Sequence, residues 1–210
     1  KINFTNNKSW ETFFSKTKTQ WLEGNQKINI VHFGGSHIQA DVWSNRMRQH
    51  FQNLSSNNNS GRGMVFPFRL IGSNGSAYLK TSHTGEWKGY RNSVSSHQPP
   101  FGLSGARGVF SDSASTLNIW VNKEHCTDCY FDQLEVFYMD SSENFCIKIM
   151  NDSLDWIKEN SDLGSCTFKL SNLVDSLSIS FKKLDTSSSL FKLYGFQLIN
   201  ENSGLLYHSI

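Results

Sequence analysis

Residues 28–43, INIVHFGGSHIQADVW, constrain the fold of this chain more than any other stretch. Ile28, Ile30, Val31 and Phe33 form a short apolar run, the pattern of a strand covered on both faces. Gly34 and Gly35 permit backbone angles closed to other residues, so the chain can turn sharply after the strand. Ser36 follows at once, and Ile38, Val42, Phe51 and Leu54 then recur at roughly helical spacing. A strand, a two-glycine turn, a serine and a helix together lift a hydroxyl off the end of a sheet. The positive end of a helix favours an alkoxide or oxyanion beside it. Serine is also a common helix N-cap, so spacing alone leaves two readings of Ser36, nucleophile or cap.

The block GGSHIQAD, placed after INIVHF, resembles the first sequence block of the SGNH (GDSL-type) hydrolases. The bacterial envelope branch of that family, which includes peptidoglycan O-acetylesterases, often reads Gly-Asp-Ser-His at this point. The resemblance implies that Ser36 is the nucleophile and that its backbone N–H is an oxyanion donor, with Gly34, Gly35 and His37 completing the block. Gly35 stands where the family has aspartate. That aspartate buttresses the turn and moves no proton, so the change bears on turn rigidity more than on chemistry.

A nucleophilic serine needs a base and a group that orients the base. In the SGNH family the base lies in a late Asp-x-x-His block, and further oxyanion donors lie in a Gly block and a Gly-x-Asn block. No Asp-x-x-His block is present. The histidines are His32, His37, His50, His83, His97, His125 and His208, and none follows an aspartate at three positions. The last residues, GLLYHSI, read as a strand entering a core. In the envelope branch such a strand leads to the turn that carries the oxyanion glycine. The expectation is therefore the N-terminal portion of a longer serine esterase, inactive alone. Its missing C-terminal half, in the same polypeptide or as a separate chain, would supply the base. The alternative is a non-catalytic carbohydrate-binding or adhesion module whose hydrolase-like opening is vestigial.

The expected fold class is α/β plus all-β. Residues 9–23 read as an amphipathic helix with Ser9 as N-cap, Trp10, Phe13, Phe14 and Trp21 on one face, and Gly24 at its end. With a strand at 28–33 and a helix over 38–54, residues 1–60 would form part of a flavodoxin-like, doubly wound SGNH portion. SSNNNSGRG, residues 55–63, has the composition of an exposed linker. After it the rhythm is that of short strands: LNIWVN, LEVFYM, FCIKIM, CTFKLS, SLSISFKK and FKLYGFQLI. Polar turn clusters separate them, which predicts a β-sandwich or jelly roll over 61–203. The resemblance adds that such a unit, similar to carbohydrate-binding modules, is inserted between catalytic blocks. Residues 204–210 would then return as a strand to the hydrolase portion.

Composition excludes some partners. Net charge is +2 with a pI near 8.3, and no basic-aromatic stripe is present, so nucleic acid is not expected. Apolar content is 37% and mean hydropathy −0.45, with no run approaching the roughly 20 apolar residues that span a bilayer. The resemblance implies an acetylated envelope polysaccharide as partner, no cofactor, and a secreted or periplasmic setting. Trp87, Tyr90 and Arg91 lie in a loop-rich, aromatic stretch suited to stacking on sugar rings and bonding their hydroxyls or carboxylates; a core role for Trp87 is the competing reading. His125, Cys126 and Cys129 form a lone Cys-x-x-Cys cluster without the second pair that marks a zinc site, so no metal is expected. An oxidising compartment would permit the pairs Cys126–Cys129 and Cys146–Cys166.

Overall fold

The computed structural model describes residues 7–55, 58–121, 130–140, 144–151, 155–161, 164–186 and 189–210. The chain opens with α1 (Asn7–Glu23), β1 (Lys27–His32), α2 (Ser36–Gln39) and α3 (Val42–Gln52). There follow β2 (Gly61–Val65), a 3-10 turn (Phe68–Ile71), β3 (Leu79–His83), β4 (Trp87–Arg91), β5 (Ala106–Phe110) and β6 (Ala114–Val121). The remainder is β7 (Phe131–Asp140), β8 (Phe145–Ile149), β9 (Trp156–Ser161), β10 (Ser165–Val174), β11 (Ser176–Lys183), β12 (Phe191–Ile199) and β13 (Gly204–Ser209).

The strands divide into a seven-stranded sheet, a four-stranded sheet and a two-stranded pair. In the larger sheet the order is β4-β5-β12-β7-β10-β9, with β2 also paired to β12; in the smaller it is β3-β6-β11-β8. Alternation dictates their packing. In β11 and β5 every second residue is buried, so each strand gives one face to the core and one to solvent. Leu117, Ile119, Ile147, Ile179 and Phe181 of the smaller sheet share one core with Phe110, Leu134, Val136, Phe168 and Phe191 of the larger. Rings cross between the layers: Phe181 meets Phe191 at 5.1 Å and Phe110 meets Phe145 at 6.0 Å between centroids. The structure is thus dominated by β-sheet, with few helices.

β1 and β13, the first and last strands, pair in parallel from Lys27↔Gly204 to His32↔Ser209. Helix α3 lies across β13: Arg48 Nε donates to the Tyr207 carbonyl (3.3 Å), Gln52 Nε2 donates to the Leu205 carbonyl (3.1 Å), and Phe51 stacks on Tyr207. The other edge of β1 pairs with no strand among the described residues. A multi-stranded doubly wound sheet is therefore not what the described residues form; two strands stand in its place.

Three further expectations need correction. Residues 58–63 of the expected linker are not exposed: Asn58 and Ser60 are buried, and Gly61–Val65 form a fully buried strand between β12 and β13. Polarity misled here because the segment's polar groups are bonded inward, as when Asn58 Nδ2 donates to the Phe51 carbonyl and Ser60 Oγ to that of Asn202. Helix α1 buries Thr17 and Gln20, while Trp10, Phe14 and Trp21 of its aromatic face are exposed at 44%, 58% and 43%. Finally, Cys146 and Cys166 are free thiols on β8 and β10, strands of different sheets. Cys166 lies in the core, where burial pushes its thiol up to about 11. The His125, Cys126 and Cys129 cluster lies outside the described residues.

Candidate active site

Ser36 sits where the β1–β13 pair ends. The ladder runs on past the strands: Ile210 N–H donates to the His32 carbonyl and Gly34 N–H to that of Ile210, each at 2.9 Å. Gly34 is required at the turn because a Cβ there would fall 2.3 Å from Cγ1 of Ile38. Gly35 is the N-cap of α2, and its carbonyl accepts from Ile38 N–H (3.0 Å) and Gln39 N–H (3.1 Å). Ser36 is the first helical residue and is exposed, as is His37. A first helical N–H has no intrahelical acceptor, so that of Ser36 is available to a ligand.

The helix after Ser36 is not the long one the spacing suggests. α2 is a single turn, and the chain breaks at Asp41, which takes a left-handed conformation (φ 62°) before α3 begins. Aspartate tolerates that region better than most residues. Only short-range backbone polarity, and not the dipole of a long helix, thus acts on Ser36.

The break places Asp41 under the serine turn as a buried charge hub. Its Oδ1 accepts from Ser44 Oγ (2.6 Å) and Arg48 Nη2 (3.3 Å); its Oδ2 accepts from Arg62 Nη2 and from Ser76 Oγ (3.1 Å). Burial opposes ionisation of Asp41, but the guanidinium groups of Arg62 and Arg48 outweigh it and hold the carboxyl below the ordinary aspartate value. Arg48, fully buried and beside Arg62, is lowered to about 9. Arg62 reaches this site because it lies on buried β2 between Gly61 and Gly63, both at positive φ. At Gly63 a Cβ would come within 3.0 Å of the Tyr207 carbonyl, so glycine lets β2 approach β13. His208, opposite, accepts at Nδ1 from Met64 N–H (3.1 Å) and faces Asn29 Oδ1 through Nε2 (3.1 Å). That pattern fixes a neutral ring protonated on Nε2. Burial, with Arg48 adding to it, pushes the His208 value down.

A cavity of about 280 Å³ opens beside Ser36. Its walls come from the serine turn, from β2 through Arg62, from Arg91 at the end of β4, and from the loop at Ser104. The sugar-contact residues expected from sequence separate here. Arg91 lines the cavity and donates through Nη1 to Ser73 Oγ (3.1 Å). Tyr90, one residue earlier on the strand, faces the other way and lies under the Arg107 guanidinium, 4.5 Å from its ring centroid. Trp87 packs into the core: it stacks on Phe110 and meets Phe181 edge-on, and its Nε1 donates to Ser115 Oγ (2.9 Å). Asp41, Arg48 and Arg62 were not singled out from sequence. The signal was there for Arg62, since an arginine between two glycines is an unusual place for a charge.

Among the described residues, Ser36 Oγ makes no hydrogen bond. No protein-family model and no curated protein matches this chain. Among solved structures, a peptidoglycan O-acetylesterase is similar in fold, with a TM-score of 0.61 at 12% identity. The match covers 94% of this chain and 50% of that one, so the chain spans half the length of the structure it resembles.

Proposed function

We propose that this chain is the nucleophile-bearing portion of an SGNH-type serine esterase that removes O-acetyl or similar acyl groups from an envelope polysaccharide such as peptidoglycan. The observation that carries this reading is the exposure of Ser36 at a strand–turn–helix junction on the rim of a cavity. Ser36 Oγ attacks the ester carbonyl and the Ser36 N–H donates to the developing oxyanion. The sugar alcohol leaves, and water then hydrolyses the acyl-enzyme. The general base and the remaining oxyanion donors come from polypeptide beyond these 210 residues, packed against the open edge of β1. The fold likeness to a peptidoglycan O-acetylesterase twice as long supports this division of labour.

The test is acetate release from O-acetylated peptidoglycan, with the fragment and its parent open reading frame compared. The parent should release acetate and lose that activity by orders of magnitude in Ser36→Ala, while the fragment alone should be nearly inert. Equal turnover by fragment and parent, or an active Ser36→Ala parent, would refute the assignment.

A further inference from the structure

The cavity beside Ser36 is lined by more positive charge than its own carboxylate neutralises. Asp41 is the acidic residue among those lining it, and its two oxygens already accept from Ser44, Arg48, Arg62 and Ser76. Arg62 gives only Nη2 to that carboxylate. Its Nε and Nη1 are buried and without a partner among the described residues, as is Oγ of Ser104, another lining residue. Arg91, half-buried on the facing wall, gives Nη1 to Ser73 and adds a second guanidinium. Arg62 and Arg91 thus set two positive charges against one saturated carboxylate in a partly desolvated space. Uncompensated positive charge in such a space is costly, and an anion entering the cavity would offset it. A neutral acyl group alone would gain little from two guanidiniums, whereas the planar donor fork of arginine matches a carboxylate.

We infer that the cavity binds a carboxylate carried by the substrate near its ester, so that the substrate class is an O-acylated acidic glycan. Arg91 is the reachable contact, and Arg62 is the buried charge behind it. The volume of about 280 Å³ suits one charged sugar residue better than a length of polymer. This inference deepens the esterase reading of Ser36 and rests on it.

The test is calorimetric or NMR titration of the purified 210-residue chain with three small sugars. N-acetylmuramic acid carries a free carboxylate; its amide and N-acetylglucosamine do not. The acid should bind at least about tenfold more tightly than either neutral sugar, the effect of one charge-assisted contact. Arg91→Gln should erase that preference while leaving the circular dichroism melting curve in place. Arg62→Lys, which keeps the charge but loses the fork, should weaken binding of the acid several-fold. Equal affinities, no binding of any of the three, or a preference that survives Arg91→Gln would overturn the inference. No turnover is needed for this readout. A chain that discriminates the acid while the parent releases no acetate would remove only the esterase reading, and the reverse result would remove only the carboxylate site.

Discussion

At the level of single residues, the turn separates two glycines that look equivalent in sequence. Gly34 is locked by Ile38, whereas a Cβ at Gly35 meets nothing within 4 Å. Gly34→Ala should therefore cost stability through a steric clash, while Gly35→Asp, the residue of the family pattern, should fold with a melting temperature within a few degrees of the parent chain. A large loss in Gly35→Asp would contradict the open space at that position. His208 gives a pH dependence of known sign. Its folded-state value lies below the ordinary one, so from about pH 6.5 downward the unfolded chain takes up a proton that the folded ring does not. Stability should fall as pH drops through that window, and His208→Gln should flatten the melting profile between about pH 7.5 and 5.5.

Among elements, α3, β2 and β13 meet around buried charge, with Arg48 of α3 and Arg62 of β2 both bonded to Asp41. Asp41→Asn would leave Arg48 and Arg62 facing each other without their carboxylate. Breaking a buried ion pair by removing one partner costs about 3–5 kcal/mol, and urea denaturation should show a loss of that order. The β-rich half was legible in the sequence: SLSISFKK and FKLYGFQLI became β11 and β12 with the ends expected, because alternation over a half-buried strand is a strong local signal. β2, β3, β4, β5 and β9 were not legible as strands. β2 is buried throughout yet reads GRGMV, with glycine and charge where alternation would place apolar residues. The Ser36 turn could be read because Gly34 has a local steric cause in Ile38, four positions on. The Asp41–Arg62 pair could not, because it spans 21 positions and exists only once β2 is threaded under α3.

For the whole molecule, the surface around β1 is the outstanding feature. Phe33 is 63% exposed, Trp43 55% and Phe14 58%, and one edge of β1 has no strand partner among the described residues. An exposed edge flanked by large apolar side chains promotes pairing with another chain. Light scattering of the isolated chain should show concentration-dependent association, and Val31→Lys with Phe33→Glu should return it to monomer. A parent chain should remain monodisperse without either change if its further residues cover this face. No helix of the described residues is long and apolar enough to cross a membrane.

The pairing of β1 with β13 also sets an order of events during synthesis. Lys27 and its partner Gly204 are separated by nearly the whole chain. At about 5–20 residues per second, β1 leaves the ribosome roughly ten to thirty-five seconds before its partner. Through that interval the intervening sheets can assemble, while the strand leading to Ser36 stays unpaired and its turn unset. Ser36 is translated before the two large sheets and positioned only after them. A chaperone that shields apolar nascent segments would therefore be needed most at the beginning of this chain. Ribosome-bound chains halted before residue 204 should be cut by protease near β1 while their central strands resist.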